Sequence, residues 1–193
     1  GTFEIGKALL LEEGTDVTIV ATGHLVWEAL LAADELAKKG ISAEVINIHT
    51  IKPLDEEAIL KSVAKTGCLV SCEEHNYLGG LGESISRVLV ENHPVPQEFV
   101  ATKDTFGESG TPAQLMKKYG LDSTAIVASA EKVQIATEGE GAVSMKGSLL
   151  DISNDGSTED NTEEEVLFGA ETAEEEDAEE KDTKAEENEA ESK

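Results

Sequence analysis

Short runs rich in β-branched residues alternate along residues 1–135 with longer segments of helical period, and no other feature constrains the fold as strongly. Asp16–Thr22 carries Val17, Thr18, Ile19 and Val20 in unbroken succession, the pattern of a strand buried on both faces. From His24 to Lys39 the period changes. Leu25, Val26, Ala29, Leu30, Ala33 and Leu36 share one helical face, Glu28, Asp34, Glu35 and Lys38 the other, and Gly40 stands where a left-handed residue ends a helix. Lys7–Glu12, Ala43–His49, Cys68–Glu73 and Gln97–Thr102 read as further strands. Helices are expected from Asp55 to Gly67, from Gly82 to Asn92, from Thr111 onward and from Asp122 to Val133. Asp55 is placed to cap its helix, with Leu54 and Ile59 at staple spacing, and Thr111 and Gln114 have capping-box spacing around Pro112. Strands joined through helical crossovers lie parallel, so the expectation is a three-layer α/β/α domain with a mostly parallel sheet covered on both faces.

Charge divides the chain. Residues 136–193 hold 21 Asp and Glu against 4 Lys, whereas residues 1–135 hold 20 acids against 11 Lys and Arg. Runs such as Glu174–Asp177 repel one another and apolar residues thin out, so 136–193 is expected to be an acidic disordered tail following a domain at 1–135. A net charge of −26 argues against nucleic acid and anionic membrane surfaces as partners. The absence of any apolar run near the roughly 20 residues that span a bilayer, and of a secretory signal pattern, points to a soluble cytoplasmic chain. Cys68 and Cys72 share one face of a strand, too far apart along it to bond, and read as reduced core thiols.

In an open α/β sheet, chemistry resides beyond the carboxyl ends of the strands. The most informative of these ends is Cys72–Gly82, where Glu73, Glu74 and His75 close a strand and Gly79, Gly80 and Gly82 precede a helix. Glu74, His75, Gly79, Gly80 and Gly82 are therefore the candidate residues. Backbone amides at the glycines could face an anion or substrate at the positive end of the helix, with His75 as a proton donor. The alternative is that the glycines serve the turn and its close packing, with Glu74 and His75 in loop or intersubunit contacts. The G-G-x-G spacing is not a dinucleotide fingerprint, and Ser109 lacks the spacing of a nucleophile elbow. His24 and His49 stand at strand ends without companions that would make either catalytic, and Trp27 is expected to be buried or at an interface.

Taken in order, DVTIVATG (16–23), KPLD (52–55), EEH (73–75), GGLG (79–82), FGESG (106–110) and YGL (119–121) resemble the C-terminal domain of transketolases over residues 3–134. The resemblance implies a five-stranded mixed sheet with its first strand antiparallel. It further implies a place in an enzyme that transfers two-carbon ketol groups between sugar phosphates, as in the pentose phosphate pathway, using thiamine diphosphate and Mg²⁺. Family enzymes carry that cofactor on other domains, whose Gly-Asp-Gly motif is absent here, so no catalytic, cofactor-binding or metal residue is assigned to this chain. The implied partners are the thiamine-binding domains or an N-terminal transketolase subunit, in a homodimer of the complete enzyme. Two alternatives stand beside this reading: the equivalent domain of a 2-oxo-acid dehydrogenase β-subunit or a 1-deoxyxylulose-5-phosphate synthase, and a non-enzymatic binding module using the Gly79–Gly82 loop and the acidic tail.

Overall fold

The structure, a computed structural model, describes residues 3–138; the acidic tail and its expected disorder lie outside the described residues. Five strands form one sheet: β1 (Leu9–Glu12), β2 (Val17–Ala21), β3 (Ala43–Asn47), β4 (Leu69–Asn76) and β5 (Gln97–Thr102), in the order β1-β3-β2-β4-β5. β1 pairs antiparallel with β3, and every other pairing is parallel. The helices are α1 (Leu25–Lys38), α2 (Glu56–Thr66), α3 (Leu81–Asn92), α4 (Pro112–Tyr119) and α5 (Ser123–Glu138). The fold is the expected α/β class, five-stranded and mixed, with the antiparallel strand first.

Strand alternation sorts the core into two layers. Val17, Ile19 and Ala21 of β2, with Cys68, Val70 and Cys72, face α1 and α5, where Leu25, Leu36, Ile126 and Ala130 complete the packing. Val20, Ile46 and Leu69 face the other way, toward Ile59 and Val63 of α2 and Leu81, Ile85 and Leu89 of α3. Thr18 interrupts the apolar run of β2 on the α2 side. Its hydroxyl lies 2.6 Å from Ser62 Oγ and 2.7 Å from Thr66 Oγ1, so a buried polar group is satisfied by α2 rather than by water. Both cysteines are buried thiols outside any disulfide, and Cys68 Sγ donates to the Asp16 carbonyl at 3.4 Å. Burial foremost, then the neighbouring Glu73 carboxylate, pushes the Cys72 thiol up, away from the reactive thiolate.

The helix ends follow their sequence signals where those are local. Asp55 Oδ1 accepts from Ala58 N at 3.2 Å, and Gly67 closes α2 in the left-handed region. Gln114 Oε1 accepts from Thr111 N at 3.1 Å at the head of α4. Some boundaries differ from expectation: β1 begins at Leu9 rather than Lys7, β3 ends at Asn47 rather than His49, and two elements run on. β4 runs on past Glu73 to Asn76, because after an irregularity in register Asn76 still pairs with Thr102 of β5. α5 continues past Val133 to Glu138. No helix among the described residues is long and apolar enough to cross a membrane.

Candidate functional site

The order of the strands decides where a crevice opens. β2 and β4 are neighbours, but β2 feeds α1 on one face of the sheet and β4 feeds α3 on the other. Their connections diverge, leaving a gap at the carboxyl ends. A cleft of about 360 Å³ occupies that gap. Thr22, Gly23 and His24 line it from the end of β2, and Glu73, Glu74, His75, Gly79 and Gly80 from β4 and the turn after it, with Ile51 closing one side. Four of the five sequence candidates thus border one cleft. The fifth, Gly82, lies inside α3 and is buried.

Glu73 organises the wall of the cleft. The parity that turns Leu69 and Ser71 toward the α3 face carries Glu73 the same way, and its side chain is buried, 2 % exposed. Its Oε2 accepts from Leu81 N at 2.8 Å and its Oε1 from Gly82 N at 2.9 Å. The amides at the head of α3 are therefore spent on an internal carboxylate, which is the anion the helix dipole favours. Of the amides at the glycine turn, those of Gly82 and, through Glu83, Gly79 are thus engaged internally, which supports the packing role that the sequence left as the alternative. The glycines have a packing reason. A Cβ on Gly80 would collide with the Glu73 carboxyl group, and one on Gly82 would lie 2.5 Å from the Phe99 ring.

Two of the exposed candidates, His75 and Gly79, are fixed by local bonds. His75 Nδ1 donates to the Asn76 carbonyl at 2.9 Å. Glu83 Oε2 accepts from Gly79 N at 2.6 Å, and Asn76 Oδ1 accepts from Leu78 N at 3.0 Å. Asn76 Nδ2 also donates to Asp104 Oδ1 at 2.7 Å, tying the turn after β4 to the loop after β5. His24 precedes α1 without a side-chain cap bond, and His49 faces the N-terminal segment rather than the cleft residues. Trp27, expected to be buried or at an interface, is 61 % exposed.

The residue missed by sequence reasoning is Glu73. Its signal was available: an acid at an even spacing from the buried Leu69, followed by a helix that begins at glycines. Among the described residues, no group of three or more His, Cys, Asp and Glu is placed to hold a metal ion. With the Leu81 and Gly82 amides occupied as well, the donors among the described residues do not fit thiamine diphosphate and its metal.

The profile described as transketolase, C-terminal domain, matches residues 6–126. The chain belongs to this family. A 6-deoxy-6-sulfo-D-fructose transketolase subunit of Clostridium sp. (strain MSTE9) is 53 % identical over 131 residues, covering 68 % of this chain and 41 % of that protein. A 1-deoxy-D-xylulose-5-phosphate synthase of Desulforudis audaxviator is 40 % identical over 129 residues, covering 66 % of this chain and 20 % of that enzyme. A solved structure described as a split gene transketolase, inactive β4 tetramer, superposes with a TM-score of 0.67 at 44 % identity, covering 68 % of this chain and 43 % of that one. The chain thus spans about two fifths of the length of the transketolase subunit it matches.

Proposed function

We propose that this chain supplies the C-terminal domain of a transketolase-type enzyme that moves a two-carbon ketol group between sugar phosphates. The thiamine-binding domains sit on a partner polypeptide or on a longer form of the chain, and bring thiamine diphosphate and Mg²⁺. The observation that carries the reading is the family match over residues 6–126, in a chain that is 53 % identical to a transketolase subunit yet spans two fifths of it. The domain's part is structural: it contributes to a dimer of the complete enzyme, and Glu74 and His75 form part of the outer wall of the substrate channel. Since the relative is a 6-deoxy-6-sulfo-D-fructose transketolase subunit, a sulfonated ketose belongs beside pentulose phosphates among the donors to be tried.

Complementation tests this. The full chain is mixed with the thiamine-binding subunit, thiamine diphosphate and Mg²⁺, and ketol transfer is followed from xylulose 5-phosphate and from 6-deoxy-6-sulfo-D-fructose. Transfer is expected only from the mixture. Full activity without this chain, or none with it, removes the reading. The 40 % identity to 1-deoxy-D-xylulose-5-phosphate synthase supports a second reading, in which the completed enzyme condenses pyruvate with a triose phosphate. Product analysis of the same mixture separates the two.

A further inference from the structure

β1 extends the sheet beyond the helix that covers its neighbour. Leu10 stands beside Ile46 in the antiparallel register, so both side chains point to the face packed by α2. Ile46 is 3 % exposed, whereas Leu10 is 52 % exposed. The cover of α2 thus stops at β3, and a cavity of about 540 Å³ opens between that helix and β1. Ala8, Leu10 and Ile46 give it an apolar side. The stripe of α2 that borders it is Ala58, Lys61, Ser62 and Lys65, at the i, i+3, i+4, i+7 spacing of one helical face. A volume of this size, walled by apolar groups with a few polar ones among them, is the build of a small-molecule site.

Four charged groups line the cavity, two of each sign: Glu13, Glu44, Lys61 and Lys65. Glu44 and Lys65 satisfy one another. The Glu44 carboxylate is buried, and its Oε2 accepts from the Lys65 ammonium and from Gly14 N at 3.5 Å. Glu13 and Lys61 differ, because both are exposed and neither side chain enters an ion pair or hydrogen bond among the described residues. A simple anion is repelled by the two carboxylates and finds Lys65 already neutralised. A simple cation meets the opposite difficulty at the two ammonium groups. A molecule carrying one charge of each sign on an apolar body suits every group that lines the space.

We propose that this cavity binds a small zwitterion with an apolar side chain, an α-amino acid of the leucine type, with its carboxylate on Lys61, its ammonium on Glu13 and its side chain against Leu10, Ile46 and Ala58. Ala58 is the small residue of the α2 stripe, and its single methyl leaves the room that the side chain fills. None of these residues borders the cleft of Glu74 and His75, and the inference stands independently of the ketol-transfer reading. Occupancy also reaches the segment that enters β1. Ala8 N and Ala58 N both donate to the Asp55 carboxylate, at 2.8 and 3.2 Å, and both residues line the cavity. A ligand packed against the two holds them in place together, so it slows the opening of that segment from the head of α2.

Amide spectra of the isotope-labelled full chain are followed as free leucine is added. Isocaproate, which lacks the amino group, and isopentylamine, which lacks the carboxylate, are titrated beside it. Leucine is expected to bind roughly tenfold more tightly than either, shifting residues 8–14, 44–46 and 58–65 and not 22–24 or 73–80. Lys61→Gln brings leucine down to the level of isopentylamine, and Glu13→Gln brings it down to that of isocaproate. Ala58→Leu, which fills the cavity from α2, removes binding of all three. Should Ala58→Leu disturb thermal unfolding, the two charge variants decide alone, since both positions are exposed. Hydrogen exchange at Ala8 and Ala58 slows together when leucine is bound. Equal affinity for the three compounds, affinity unchanged by both charge variants, shifts centred on Glu74 and His75, or no shift with leucine in large excess overturns the site and leaves a solvated groove beside α2.

Discussion

Glu73 shows how one side chain can settle the character of a site. Its two oxygens each take an amide at the head of α3, and burial leaves it no water to turn to. Glu73→Gln preserves the volume but replaces one acceptor with an amide donor, so one N–H at the start of α3 loses its partner. The expected cost is about 1–3 kcal/mol, read from urea unfolding of the variant beside the parent chain. This coupling was only half legible in the sequence. Glu73 could be placed at a strand end and the glycines before a helix. That the two satisfy each other depends on the direction of the strand's side chains and the angle at which α3 returns, which no local pattern records.

At the scale of elements, the clearest sequence signals were those confined to a few residues. Asp55 was read as a helix cap, and it is one. Its second role was hidden, because Oδ2 accepts from Ala8 N, 47 positions away, and so joins the strap before β1 to the start of α2. Asp55→Ala should therefore cost about 1–2 kcal/mol, and amide exchange at Ala8 should quicken along with that at Ala58. A cap acting on α2 alone would leave Ala8 unchanged. The strands show the converse. β2 was legible because a run of β-branched residues suits a strand covered on both sides. The extension of β4 through Glu74, His75 and Asn76 was not, because three polar residues look like a loop until Thr102 is found opposite them.

Over the whole domain, the alternation of strand and helix fixed class and layers, and the antiparallel first strand came from the family resemblance rather than from periodicity. Electrostatics across the domain were less visible. Glu44 on β3 is buried, which by itself raises the pKa of its carboxyl group, but hydrogen bonds from Lys65, Ser62 and Gly14 N outweigh this and hold it below its ordinary value of 4.5. A carboxyl group depressed in the folded state stabilises the fold fully above its unfolded pKa and loses that contribution as pH falls through the folded one. Stability should thus decline as pH drops from the ordinary carboxylate range downward. Glu44→Gln should flatten part of that decline, as measured by urea unfolding at successive pH values, while lowering stability at neutral pH.

The carboxylate at the head of α3 also bears on what this architecture could become. Sheets that open between diverging connections have a natural seat for a charged guest, and in this protein the seat is already taken by a group the backbone itself delivers. The domain is self-liganded. A change that evicted the resident acid, such as Glu73→Ala, would free the Leu81 and Gly82 amides for an external anion.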